Sequence, residues 1–469
     1  MNLSGSGISK GDTICAIATP PGTGAISVIR MSGSESLDIA NLLFVPSNKK
    51  LKWDKIESHK MYYGQIISGE QLIDEVLLTW FRSPNSYTGE ESVEISCHGS
   101  EFIQQKIIEL LIENGARLAD PGEFTMRAFL NGKLDLSQAE AVADLIASQS
   151  RSAHRLALNQ MRGGFSDKIK ELRDKLIQFT SLIELELDFG EEDVEFADRT
   201  ALNGLLSELN LELSYLISSF KLGNVLKTGI PVAIIGKPNT GKSTLLNAIL
   251  NEEKAIVSDI PGTTRDAIED TIIIDGYRFR FIDTAGLRQA EDTIETIGIG
   301  RTYDKIEQAS IILYVCDISD ASPDKVGEVL EEFRLYIEDE DKHFILVANK
   351  IDMLSELPAH LKEMLELETV FVSAKRKENI HLLAETLVNR VKEKSISSDI
   401  IVSNSRHYDA LTIALSSLIQ VEKSLAENVP TDLVAIDIRQ ALHHLGTITG
   451  EITTDEVLGS IFSKFCIGK

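Results

Sequence analysis

Residues 236–243 read "GKPNTGKS" and stand between an apolar run, "VAII", and a helical pattern, "TLLNAIL". Gly236 and Gly241 let backbone N–H groups turn inward on an anion. Lys242 supplies a point charge for terminal phosphates, and the Ser243 hydroxyl can ligate Mg2+. Asn239, Thr240 and Thr244 complete the loop and its exit. The base is chosen farther along, at "NKID" (349–352). The Asp352 carboxylate can accept from guanine N1–H and from the exocyclic amine, donors that adenine does not present there. A wrong base would therefore leave a charged acceptor unpaired. Asn349 and Lys350 would brace the loop and cover the ring, with Ile351 between them and Asp352. "SAK" (Ser373, Ala374, Lys375) can present backbone N–H to guanine O6. Taken in this order, and at the ends of apolar runs, these strings specify GTP.

Two further segments read as nucleotide switches. "DTAG" (283–286) comprises Asp283, Thr284, Ala285 and Gly286. Asp283 would hold Mg2+ through water, and the Gly286 N–H would sense the γ-phosphate. Ser258, Asp259, Ile260, Pro261, Gly262, Thr263 and Thr264 form a loop that would bring Thr264 to Mg2+ when that phosphate is present. Leu287 stands where many such switches place a water-orienting glutamine. Hydrolysis therefore needs other groups, and the nearby Arg265 and Arg288 have no spacing that assigns them the task.

The elements that must position these residues follow from periodicity. From Pro231 to about Arg390, the runs "VAIIG", "TIIID", "FRFID", "SIILYVCD", "FILVANK" and "TVFVSAK" alternate with helical patterns, which predicts a mostly parallel sheet covered on both faces. Residues 1–120 mix short aliphatic strands with turns and one helix, "SEFIQQKIIELLIENG", an α+β texture. Residues 121–228 and 393–469 are helical by pattern, and Ser137 with Glu140 reads as a capping box. The expected fold is a multidomain α/β and α+β chain. A Ras-like doubly wound G domain (229–392) is inserted into a helical domain (121–228 and 393–469), preceded by an α+β domain (1–120).

Composition narrows the partners. A formal net charge of −25 excludes nucleic-acid binding by bulk electrostatics, so any RNA contact must be a local patch or be carried by a partner. Cys15, Cys97, Cys316 and Cys466 form no C-x-x-C pair, which argues against zinc and a disulfide framework and for a reducing, cytoplasmic setting. No apolar run is long enough to span a membrane, and no secretory signal is visible. The terminal "CIGK" fits a prenylation box poorly. The acidic stretch 184–198 lacks calcium-loop spacing and reads as solvated. Cys97–His98 is no nucleophile–base pair, because adjacent strand residues point to opposite faces.

The chain resembles the potassium-dependent G proteins, specifically the tRNA wobble-uridine modification GTPases called MnmE or TrmE. The resemblance runs nearly end to end, through "ATPPGTGAISVIRMSG" (18–33), "SPNSYTGEESVEISCHG" (83–99), "PGEFTMRAFLNGKLDLSQAEAV" (121–142), the GTPase motifs and the final "FCIGK". It implies that Asn239 ligates K+ with backbone carbonyls of Ser258, Ile260 and Thr263, the ion acting where an arginine finger would. It implies that Glu295 orients water through a second water, answering the question Leu287 raises. The N-terminal module is then a folate-binding, dimerising domain holding a formyl-tetrahydrofolate donor at Arg30, Glu94, Lys133 and Lys469. Cys466 would face that pocket as a candidate nucleophile. The implied assembly is a homodimer that works with a flavin-containing partner on tRNA, not at a membrane. A ribosome-assembly GTPase is the alternative, weakened by the lack of a basic K-homology module.

Overall fold

The computed structural model of the chain describes residues 12–48, 50, 52–189, 199–252, 270–282, 299–320, 323–339, 341–354, 368–395, 400–427 and 429–468. Two compact units form: residues 1–143, 160–202 and 420–469, and residues 144–159 and 203–419.

The first unit holds strands β1 (Ile14–Ile17), β2 (Gly24–Ser32), β3 (Phe44–Pro46), β4 (Met61–Ser68), β5 (Gln71–Phe81), β6 (Ser92–Gly99) and β7 (Arg117–Leu118) in one sheet, order β3-β4-β5-β6-β2-β1-β7. All pairs are antiparallel except β1 with β7. Alternation sets its two faces. Ile29, Met31, Val76, Leu78, Val93 and Ile95 are buried under the helices Ser36–Leu43 and Glu101–Glu113. The intervening positions bring Arg30, Glu94 and Thr79 into one cross-strand row on the opposite face. In the same unit the helix Gly164–Phe189 packs against Thr431–Thr449. The C-terminal helix Asp455–Phe462 seats Leu458 and Phe462 on Leu136 and Ala139.

The capping expectation needs correction. The helix Leu136–Ala147 is capped at Asp135, two residues earlier than Ser137 implies. Gln138 N donates to Asp135 Oδ1 at 2.8 Å, and Asp135 N donates to Gln138 Oε1 at 2.9 Å. Ser137 is already inside the helix, where its hydroxyl and carbonyl accept from Gln160 Nε2. An Asp–x–x–Gln box satisfies the same orphan donors as Ser–x–x–Glu, and the buried Ser137 had a tertiary partner to serve.

The second unit holds β8 (Ile230–Ile235), β9 (Asp270–Ile274), β10 (Tyr277–Phe281), β11 (Ile311–Asp317), β12 (His343–Asn349) and β13 (Thr369–Phe371), order β13-β12-β11-β8-β10-β9. Every pairing is parallel except β9 with β10, a hairpin turned at Asp275–Gly276, both at positive φ. All six residues of β8 are buried, Val232 and Ile234 in one core and Ala233 and Ile235 in the other. Burial on both faces explains why these strands read as continuous apolar runs. Phe220 stacks on Tyr408 at 4.4 Å, joining the helix before the sheet to the helix after it. The architecture is multidomain α/β, as the strand and helix patterns imply. No helix among the described residues is long and apolar enough to cross a membrane.

Candidate nucleotide site and chain-end site

β8 lies where the strand order reverses, with β10 on one side and β11 on the other. Ligands of open α/β sheets bind outside the carboxyl ends of strands at such a point. The loop leaving β8 is shaped by close approaches that only glycine permits. Gly236 has φ +140, and a Cβ there would lie 2.2 Å from the Val315 carbonyl oxygen. Gly241 has φ +95, and its Cβ would lie 2.3 Å from Asn349 Nδ2. The helix Lys242–Glu252 then presents its N-terminus to the loop, a favourable place for phosphate. Lys242 Nζ donates to the carbonyls of Gly236 and Lys237, each at 2.8 Å. Asn239 is exposed at φ +62, a conformation that Asn tolerates better than most residues.

Asn349 ties the "NKID" and "SAK" segments to this loop. It is 2% exposed. Its Nδ2 donates to Thr240 O at 2.8 Å, and its Oδ1 accepts from Ala374 N at 3.0 Å. The Ala374 N–H, a candidate for guanine O6 from sequence, is thus committed to Asn349: a buried amide needs partners for both of its ends. Ser373 Oγ donates to Asp352 Oδ1 at 2.7 Å, and Arg376 Nε stands 3.9 Å from Oδ2. The Ser373 hydroxyl holds the Asp352 carboxyl below the usual carboxylate range, with Arg376 and Lys375 adding to it. An ionised carboxylate has about four acceptor sites, so the Ser373 bond leaves capacity for a base edge.

Sequence reasoning missed Asp317. Lys350, at φ +68, donates through Nζ to Asn239 O and to Asp317 Oδ2, both at 2.7 Å. Burial raises the Asp317 pKa, but the Lys350 and Ser319 hydrogen bonds outweigh it and leave the carboxyl below its ordinary range. The available signal was the acid ending "ILYVCD", at the same sheet edge as "NKID". Glu295, Ser258–Thr264, Asp283–Gly286, Leu287, Arg265, Arg288 and Lys469 lie outside the described residues, as do residues 190–198 of the acidic stretch.

The family profile described as the MnmE helical domain matches residues 136–466, and that of the GTP-binding protein TrmE N-terminus matches residues 13–133. Over 98% of its length the chain is 52% identical to the tRNA modification GTPases MnmE of Christiangramia forsetii and Bacteroides fragilis, in each case across 99% of the relative. The chain belongs to the MnmE family. Among solved structures, the FeoB G-domain from Methanococcus jannaschii matches 35% of this chain and 98% of that chain, at 24% identity and a TM-score of 0.25.

In this MnmE chain the N-terminal sheet carries a second cluster. Arg30 contacts Glu94 Oε1 through Nε at 2.9 Å and Nη2 at 2.8 Å, so both contacts fall on one carboxylate oxygen. The Tyr87 and Phe124 rings flank the guanidinium, at 5.4 and 5.7 Å. Lys133 Nζ donates to Pro84 O at 3.0 Å, so the loop that carries Tyr87 also engages Lys133. The chain end returns to the same sheet. Gly122 N donates to the Cys466 carbonyl at 3.4 Å, and a Cβ on Gly468 would lie 2.3 Å from Ile17 O. Ile17 follows Ala16, the register partner of Arg30. Cys466 is exposed. Cys97 is buried, its thiol pushed up to about 11 by burial, while His98 Nδ1 pairs with Asp74 Oδ1 at 2.7 Å. The two side chains serve opposite faces and form no catalytic pair.

Proposed function

We propose that this chain hydrolyses GTP and couples that hydrolysis to tRNA modification. The observation that carries the nucleotide half is the Asn349 amide, which joins the phosphate loop at Thr240 to Ala374, beside the base-selecting Asp352. The tRNA half rests on membership of the MnmE family along nearly the whole chain. The modification is addition of an aminomethyl-type, carboxymethylaminomethyl group to C5 of the wobble uridine, carried out by a homodimer with a flavin-containing partner. The domain division at 120, 228 and 392 belongs to the same reading.

The chain's own groups divide the work. Asp352, set by Ser373, accepts from guanine, while Lys350, held by Asp317 and Asn239 O, leaves its aliphatic stem to cover the ring. Lys242 and the loop amides bind the β/γ-phosphates, and Ser243 and Thr264 are the residues that would hold Mg2+. Asn239, an oxygen-bearing amide exposed at the loop's left-handed turn, has the chemistry to hold K+ together with the Ser258, Ile260 and Thr263 carbonyls. Such an ion supplies fixed positive charge where negative charge grows in the transition state. Glu295 orients the attacking water. In the N-terminal module, Arg30, Glu94 and the flanking Tyr87 and Phe124 rings fit a flat, hydrogen-bonding heterocycle such as formyl-tetrahydrofolate, with Lys133, Lys469 and Cys466 at its margin.

Glu295→Ala is expected to keep GTP affinity and lose most turnover, and wild type is expected to slow sharply when Na+ replaces K+. Equal rates in the two salts would remove the ion from the mechanism. Mass spectrometry of wobble uridines from cells lacking the chain tests the tRNA half. A normal nucleoside profile there would overturn it.

A further inference from the structure

A chain of net charge −25 that acts on tRNA needs a local concentration of cations to meet phosphate, and the first unit contains one. Five lysines fall within the twelve residues 49–60, "KKLKWDKIESHK", the connection between β3 and β4. Lys50, Lys52, Lys55, His59 and Lys60 are exposed, as is Arg82 at the end of β5. Lys60 is paired with Glu57 at 2.6 Å. Among the described residues, no acidic side chain pairs with Lys50, Lys52, Lys55 or Arg82. Several other cations of the same unit are engaged: Arg30 by Glu94, Arg117 by Asp12 and Glu123, Arg127 by Glu123 and Glu90, Lys168 and Lys175 by Glu171. The exposed Arg162, Lys170 and Lys464 are scattered rather than clustered in sequence.

Residues 52–60 of this connection are held in a defined shape. Trp53 packs edge-on against Phe44 at 6.1 Å, and Ile56 is buried. Glu57 N donates to Tyr62 Oη at 2.8 Å, His59 N to Trp80 O at 2.8 Å, and Arg82 N to Ser58 Oγ at 2.9 Å. His59 takes φ +64, and its exposed ring meets Phe81 edge-on at 5.2 Å. Unpaired cations are thus displayed on a fixed backbone beside an exposed ring, the combination that engages a phosphate chain and an unstacked base. Trp53 and Ile56, the apolar residues described in the segment, turn into the fold, which favours RNA over a lipid surface.

We infer that the β3–β4 connection, with Arg82, is a docking surface for the tRNA phosphate backbone. The inference rests on the proposed tRNA substrate. It is tested on the full chain with Lys50→Gln, Lys52→Gln, Lys55→Gln and Arg82→Gln combined, measuring affinity for an unmodified tRNA transcript across a salt series. The salt slope should become shallower by about 0.7–0.9 for each phosphate that is no longer neutralised, and binding at low salt should weaken by about tenfold or more. GTP turnover and thermal midpoint should match wild type, because no ion pair is broken. Three results overturn the inference: an unchanged slope and affinity, absence of tRNA binding by wild type, or loss of binding to phosphatidylserine vesicles with tRNA binding intact. Wobble-uridine mass spectrometry distinguishes the two levels. A normal profile without the chain removes the substrate, whereas an altered profile with unaffected binding by the variant removes only this surface.

Discussion

Asn349 and Lys350 are neighbours with different tasks, and the difference comes from what each meets. The Asn349 amide is buried and satisfied at both ends by backbone, so it fixes loop against loop. Lys350 is held by a carboxylate that no motif names. Asp317→Ala should weaken GTP binding about ten- to a hundredfold, the scale of a lost charged hydrogen bond of about 1.5–3 kcal/mol, read by titration with a fluorescent guanine nucleotide. Because the Asp317 pKa is lowered, its contribution is complete above the ordinary carboxylate range of about 4 and fades only as pH falls through the lower native value. GTP affinity that already declined between pH 7 and 5 would count against this link. Legibility at this scale tracked chemistry. Gly236 and Gly241 are dictated by close backbone approaches, and their positions could be read from spacing. Asp317 serves a lysine 33 residues away and could not.

The N-terminal unit is tied together by an ion network between elements. Glu123, fully buried at the head of the helix Glu123–Leu130, accepts from Arg117 Nη2 at 2.6 Å and Arg127 Nη2 at 2.9 Å, and Asp12 bonds the same two arginines. Burial alone would raise the Glu123 pKa, but hydrogen bonds from Arg117, the Asp120 N–H and Arg127 bring it below its usual range. The network therefore stabilises fully above about pH 4 and loses its effect as pH falls through the native pKa. Glu123→Gln should cost about 3–5 kcal/mol by leaving two guanidinium groups short of charge, seen as a lower thermal midpoint at pH 7. The mutant should also show a smaller acid-dependent decline than wild type, the part that Glu123 contributes. A second element, the chain end, depends on Gly468. Gly468→Ala introduces a Cβ against Ile17 O at positive φ, which should displace the tail and reduce folate retention while leaving GTP turnover unchanged. Retention equal to wild type would separate the tail from the proposed folate site.

At the scale of the molecule, 72 acidic against 47 basic residues place the isoelectric point near 4.8, so solubility should pass through a minimum near that pH. Against this background the unpaired cations of the β3–β4 connection stand out by position, not by number. Periodicity exposed β2, β5, β6, β8–β13 and the long helices, because each buries a stripe or a face and must repeat accordingly, but it did not expose β1, β3, β4, β7 or the helix Ser36–Leu43. Motif spacing determined the phosphate loop, because few backbones can cradle phosphates. Only the tertiary structure decided that Arg30 and Glu94 share a row, that the tail rests one residue from the register partner of Arg30, and that Asp317 holds Lys350. Those relations join residues far apart in sequence. Local pattern records what a segment must bury, whereas strand register and chain return select its partner.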